Sequence, residues 1–243
     1  MTCRLHVPPE TLVAGEVVVR GDDHHYLFRV RRLRPGDPVV VFDGAGMQAE
    51  ATVATICGED AVLRLDPPRT VPPPTPAIRM LLPLLKGDAF DSCVSKLVEL
   101  GVTGIAPIHT RRCVVRVPAN KAPARRQRFV LRAQQAARQS RNPYVAEIEP
   151  IADLAQALAA TGEMLRLVCW EGETRSLRDA LPACPPPSVA VLFGPEGGLE
   201  PEEVEAATAA GFEPVSLGPR ILRAETAPVA VAAILRFEYG DVG

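Results

Sequence analysis

No two cysteines stand close enough in this chain to read as a metal knuckle or a stapled loop. The six, Cys3, Cys57, Cys93, Cys113, Cys169 and Cys184, lie far apart, without Cys-x-x-Cys and without paired Cys/His spacing. Neither a zinc site nor a disulfide framework is therefore expected. The adjacent His24 and His25 have no Cys or further His near them, so no metal ligand set is read there. The opening Met1-Thr2-Cys3-Arg4 carries no leader-like pattern, and no apolar run approaches the length of a bilayer span. A cytoplasmic chain with reduced thiols and no membrane partner is expected. Familiar catalytic signatures are missing too: there is no Gly-x-x-x-x-Gly-Lys-Ser/Thr phosphate loop, no Gly-x-Gly-x-x-Gly fingerprint and no Gly-x-Ser-x-Gly elbow. His109 is the only histidine after the proline-rich stretch near residue 70, leaving a Ser/His/Asp triad one possible base and no evident nucleophile.

What is present describes an ordinary globular protein: 243 residues, 47% hydrophobic, 23% charged and only 5% aromatic. That length allows one large or two modest domains. The 25 prolines should mostly mark element boundaries. A net charge of −2 argues against a nucleic-acid partner, but the distribution argues for one. From Thr110 to Ala146 there is no acid, while Arg111, Arg112, Arg116, Lys121, Arg125, Arg126, Arg128, Arg132, Arg138 and Arg141 all fall there. Arg29, Arg31, Arg32 and Arg34 make a second cluster, and acids gather between Glu196 and Glu213, a stretch without Lys or Arg. Such segregation lets a near-neutral chain hold a basic surface against phosphates, and RNA or DNA is the favoured partner over a merely solvated helix face.

Along the chain, residues 1–70 read as short strands with Gly and Pro turns, interrupted by helical spacing over His24–Leu33, and suggest a small barrel or sandwich. Residues 71–76 form a stiff connector, and 77–243 the second domain. There the pattern alternates strand and helix. Ile78–Leu85 is an apolar run broken only by Arg79, as for a strand buried on both faces. The following helix is capped by Asp88, buries Phe90, Val94, Leu97 and Val98, and stops at Gly101. A basic helix spans residues 123–140. The alternation predicts an α/β fold with a mostly parallel sheet and helices on both faces.

Two strand-to-helix loops near the C-terminus attract attention. Val189–Phe193 opens into Gly194-Pro195-Glu196-Gly197-Gly198, and Pro214–Leu217 into Gly218-Pro219-Arg220-Ile221-Leu222-Arg223-Ala224-Glu225-Thr226-Ala227. In an open α/β sheet, ligands bind at the carboxyl ends of strands, and glycine there admits close backbone approach. The mixture of apolar shelf, cation and hydroxyl in the second loop suits an adenine-bearing ligand held by backbone groups, with a charged group left over for catalysis.

The pair of loops resembles the signature of the SPOUT methyltransferases, and more narrowly the family that methylates N3 of a uridine in 16S ribosomal RNA. Lys86-Gly87-Asp88, Lys96–Val102, Gln139-Ser140-Arg141-Asn142, Arg31-x-Leu33-Arg34-Pro35-Gly36-Asp37 and Phe42-Asp43-Gly44 match as well, so the likeness covers nearly the whole chain. It departs at Ala224, where the family carries threonine, at Pro228 in the closing helix, and at Arg138–Arg141, where the family tends to have an acid and a glycine.

The resemblance implies a PUA-like RNA-binding barrel in residues 1–70 and a catalytic domain with a C-terminal trefoil knot. It also implies a homodimer, S-adenosylmethionine as cofactor, and 16S ribosomal RNA or the small ribosomal subunit as partner. On this reading Phe193, Gly194, Pro195, Glu196, Gly197, Gly198, Leu217, Gly218, Ile221, Leu222, Arg223 and Thr226 line the cofactor pocket, flanked by Cys169 and Trp170. Arg223 stabilises charge on the uracil, and Glu196 or Glu225 accepts its proton. The candidate RNA contacts are Arg29, Arg31, Arg32, Lys86, Arg111, Arg112, Arg125, Arg126 and Arg141. Methylation of another RNA, such as a transfer-RNA ribose, and a non-catalytic RNA-binding assembly factor are the alternatives.

Overall fold

The computed structural model describes residues 2–240, which fall into two compact units. The first comprises residues 2–73 together with Ala137–Val145, and the second residues 74–136 and 146–240.

In the first unit the strands are β1 (Cys3–His6), β2 (Glu16–Val19), β3 (Pro38–Phe42), β4 (Met47–Cys57), β5 (Asp60–Leu65) and β6 (Arg69–Thr70). They form one sheet in the order β1-β3-β4-β5-β2, with β6 on β4; β1 runs parallel to β3 and the remaining pairs are antiparallel. Alternate residues point inward: Val17, Val19, Ala49, Ala51, Val53, Leu63 and Leu65 join Leu5, Leu12 and Leu27 in one apolar cluster, as period-two patterning requires. Besides the single turn α1 (Pro9–Leu12) and the last turn of the helix ending at Ser140, one helix crosses this unit. It begins as α2 (Gly21–His24) and widens into a π-helical turn over His25–Val30, earlier than the His24–Leu33 spacing suggests. There the amide of Arg31 reaches the carbonyl of Tyr26, at 2.9 Å.

Ala137–Val145, placed by the sequence reading in the second domain, packs with the first. Arg138 donates to Asp23 at 3.1 Å and lies over the Tyr26 ring. The Val145 amide bonds to the Gly44 carbonyl at 2.8 Å, and the Tyr144 hydroxyl to that of Val71 at 2.6 Å.

The second unit is built on a parallel sheet of β7 (Ala77–Pro83), β8 (Gly104–His109), β9 (Glu147–Ile148), β10 (Ala152–Asp153), β11 (Leu165–Cys169), β12 (Ser188–Leu192) and β13 (Glu213–Val215). Its order is β10-β8-β7-β12-β11-β13, with β9 also on β8. The helices are α3 (Ala89–Glu99), α4 (Ala122–Ser140), α5 (Leu154–Ala159), α6 (Leu177–Ala180), α7 (Pro201–Ala209) and α8 (Ala227–Tyr239). Leu81, Ala106, Ile108, Val168, Ala190 and Leu192 form one core with α5 and α7. The alternate residues Ile78 and Met80 are equally buried, and α3 and α8 pack together with α8 against β7. Burial on both faces explains why Val189–Leu192 of β12 reads as an unbroken apolar run and why β7 is interrupted only by Arg79, which pairs with Glu149.

Local chemistry sets the helix ends. Glu200 and Glu203 form a reciprocal capping box at α7, with Pro201 in its first turn, and Asp153 with Gln156 does the same for α5. Asp88 does not cap α3 with its side chain; its carboxylate turns instead to Arg128, 3.0 Å away, which also pairs with buried Asp91. Pro228 lies in the first turn of α8 and is buried, where no amide is needed.

One side chain ties the closing helix down. Arg236 of α8 is fully buried and donates to the carbonyls of Leu100 and Gly101, at 3.3 and 2.5 Å. These carbonyls follow directly on the end of α3, where helix geometry leaves acceptors unpaired. Arg236→Ala strands those acceptors and opens a cavity, and is expected to lower stability by about 3 kcal/mol or more, read as a fall in the urea midpoint. A shift of a few tenths would remove Arg236 from this role.

Candidate active site

The sheet places β12, β11 and β13 side by side, so the turns leaving their carboxyl ends converge. They enclose a cavity of about 1180 Å³, ample for a mononucleotide-sized ligand. Cys169 and Trp170 enter from the end of β11; Phe193, Gly194, Pro195, Glu196 and Gly198 from β12; and Leu217, Gly218, Ile221, Leu222, Arg223 and Glu225 from the segment after β13. Two expected lining residues stand elsewhere. Gly197 faces Arg112, whose Cβ would be 3.2 Å from a Cβ added there, and Thr226 begins α8 with its amide on the Arg223 carbonyl. The sequence reading missed Glu171, Glu173 and Thr174, which also line the cavity. They directly follow β11, so carrying the strand-end argument four residues past Trp170 would have reached them.

The glycines are required by contact and conformation. A Cβ at Gly194 would lie 2.9 Å from the Leu199 amide nitrogen, because the loop folds back on itself through a bond from the Gly198 amide to the Pro195 carbonyl. Gly218 has φ +103° with no atom within 4 Å of an added Cβ, so it leaves open space where a side chain would be strained.

The loop is held from beneath. Arg112 donates from Nη1 to the Gly197 carbonyl at 2.9 Å, and its Nε lies 3.8 Å from Glu200. The Arg111 amide bonds to Glu203 at 2.8 Å, and the Arg111 guanidinium to Glu200 at 2.8 Å. Arg126 donates to the Ile148 carbonyl at 2.7 Å. These three candidate RNA contacts thus have partners within the chain, although the Arg111 and Arg112 side chains remain 61% and 47% exposed. In the same unit Lys86 is exposed, while Arg125 is half-buried with its guanidinium over the Phe129 ring. In the first unit Arg29, Arg31, Arg32 and Arg141 are all exposed. Arg32 and Arg141 hold positive φ, 59° and 65°, uncommon for a residue with a side chain.

Within the cavity the floor is apolar and the rim charged. Glu171, Glu173, Glu196 and Glu225 line it together with two guanidiniums, Arg220 and Arg223. Arg223 is 85% exposed and only loosely paired with Glu225, at 3.8 Å. The carboxylate of Glu196 accepts a long bond from the Lys86 amide, at 3.4 Å. Backbone amides of Arg175 and Thr174 hold the Glu173 carboxyl below its usual range. Burial alone pushes the Cys169 thiol upward, and burial pushes Cys93 up to about 12. Among the described residues no group of His, Cys, Asp and Glu is arranged to hold a metal ion, and no helix is long and apolar enough to cross a membrane.

Residues 72–236 match the family of RNA methyltransferase domains, and residues 19–65 the RNA methyltransferase PUA domain. Among curated relatives, the chain is 34% identical over 241 residues to the ribosomal RNA small subunit methyltransferase E of Synechocystis, covering 96% of this chain and 77% of that one. It is 28% identical over 229 residues to the protein of the same name from Bacillus subtilis, covering 90% and 89%. Among solved structures, the ribosomal RNA small subunit methyltransferase E of Neisseria gonorrhoeae, bound to S-adenosyl methionine, superposes with a TM-score of 0.91 at 29% identity over all of both chains.

A raised thiol pKa means little thiolate and slow alkylation. Iodoacetamide at pH 8 is expected to label exposed Cys57 and Cys184 well before Cys93 and Cys169, as read by peptide mass spectrometry. Equal rates at all four would contradict the burial that raises the Cys93 and Cys169 thiols.

Proposed function

The chain belongs to the RNA methyltransferase family, and from that membership we propose that it transfers the methyl group of S-adenosylmethionine to N3 of a uridine in the small-subunit ribosomal RNA. The observation that carries this reading is the cavity shared by three adjacent strand ends, apolar beneath and carboxylate-rich above. Four carboxylates against two guanidiniums leave the rim negative, which favours a ligand carrying a sulfonium and an ammonium. The apolar residues Leu217, Leu222 and Phe193 give an adenine ring a floor, and the open side of Gly218 lets backbone groups reach its edge. The bound cofactor supplies an electrophilic methyl group.

The rest of the chemistry falls to the chain. Uracil N3 becomes nucleophilic when its proton leaves, and Glu196 or Glu225, both on the cavity rim, accepts it. The exposed guanidinium of Arg223 stabilises the negative charge that the ring then develops. Arg112 acts below the site, holding the Gly197 peptide and with it the first glycine loop.

Two further features belong to this reading. From β13, at one edge of the sheet, the chain returns as α8 to pack on β7 and α3, so residues 216–226 cross the ends of β11 and β12. That path supports the C-terminal trefoil knot. On α8, Ile234 and Phe237 remain 43% and 70% exposed, an apolar face that supports a homodimer. The working compartment is the cytoplasm, where ribosomal RNA is found.

Calorimetry with S-adenosylmethionine, followed by methylation of small-subunit ribosomal RNA and small ribosomal particles with nucleoside analysis, tests the proposal. The expected product is 3-methyluridine. A ribose-methylated nucleoside would move the target, and absence of cofactor affinity would end the reading. Arg223→Ala should lower kcat by about 10²–10³ while leaving cofactor affinity within a few-fold, and Gly218→Val should abolish binding to the cofactor.

A further inference from the structure

A second cavity, of about 710 Å³, opens beside the first. One turn separates them: Leu85 and Gly87 line the second cavity, and Ala89 lines the first. Since β7 neighbours both β12 and β8, the two cavities sit along the same carboxyl edge of the sheet, one or two strand spacings apart, or roughly 5–10 Å.

The wall of this cavity combines two chemistries. Val115, Val117, Pro118 and Leu85 present apolar surface, and Arg116, Lys121, Arg125 and Arg128 present cations. The cations are not equally engaged. Arg128 is neutralised by Asp88 and Asp91, and Arg116 spends one nitrogen on the backbone carbonyls of Thr110 and Arg111. Among the described residues no acceptor meets Lys121 or Arg125, and the Arg125 Nε is buried without a hydrogen-bond partner. A buried donor without an acceptor is costly and uncommon in a finished structure. The same guanidinium lies over the Phe129 ring, and an acceptor brought by a ligand would complete its hydrogen bonding.

We propose that this cavity is a nucleotide subsite for the substrate RNA, taking a nucleotide next to the methylated one. Its phosphate is held by Lys121 and Arg125, and its base or ribose lies on Val115, Val117 and Pro118. The inference rests on the RNA methyltransferase reading above and adds a location for the strand outside the reaction cavity. Single-stranded RNA suits it because splayed nucleotides offer a flat apolar face and a phosphate together, and a cavity without an unpaired carboxylate repels neither.

The test uses Lys121→Glu and Arg125→Gln in the full chain, with a small-subunit ribosomal RNA transcript as probe. Cofactor affinity by calorimetry serves as the folding control. If Arg125→Gln fails that control, Lys121→Glu, an exposed position, decides alone. Expected is a loss of RNA affinity of at least five-fold, and a salt dependence shallower by about 0.7 in log–log slope for each phosphate contact removed, with cofactor affinity unchanged. Wild-type affinity and slope in Lys121→Glu would overturn the subsite. So would a change in sedimentation mass without a change in RNA binding, which would assign the cavity to contact between copies. The methyltransferase reading fails separately, if the wild-type chain transfers no methyl group to any RNA.

Discussion

The guanidinium of Arg236, carried into the interior by α8, meets the carbonyls of Leu100 and Gly101 where α3 runs out. A buried cation is tolerated only with such partners, and these exist only if α8 lies against α3. The contact therefore fixes where the chain must be after β13. That strand is at one edge of the sheet and α3 packs with the helix that covers β7, so the intervening segment has to cross the ends of β11 and β12. Leu217, Gly218, Leu222 and Arg223 belong to that segment, and they form one wall of the first cavity.

The opposite wall depends on a different balance. Acids concentrate in α7 and cations in the turn after β8, and the fold brings the two together: Arg111 and Arg112 meet Glu200 and Glu203. Exposed ion pairs contribute little stability. Here the backbone bonds matter more, since the Arg111 amide and the Gly197 carbonyl are both satisfied by side chains across the gap. Charge segregation along the sequence is thus partly internal complementarity and partly surface. Arg111, Arg112, Arg126 and Arg128 have partners within the chain, the first, second and fourth while staying exposed; Lys86, Lys121 and Arg141 lie on the surface.

The alternation of strand and helix, the two-face burial of β7 and β12 and the role of Gly194 were legible because each is a local property. A parallel strand needs an apolar run, and a tight loop needs residues without a Cβ. The two Gly-Pro loops could be paired from sequence because each ends a strand, and strand ends in such sheets face one way. Gly197 looked equivalent to Gly194 and Gly198, yet only its neighbours in space show that a side chain there would crowd Arg112.

By itself the sequence determined that the chain is α/β with a smaller β-rich unit before it, that two Gly-Pro loops near the C-terminus each end a strand, and that its cations are segregated. Tertiary structure alone decided which of those cations face solvent, that Glu171 and Glu173 border the cavity, and that Ala137–Val145 packs with the first unit. The reason is one of range. Propensity and periodicity act over a few neighbouring residues, whereas the partner of an arginine is set by strand order and helix return, which bring together positions such as Arg112 and Gly197, 85 residues apart.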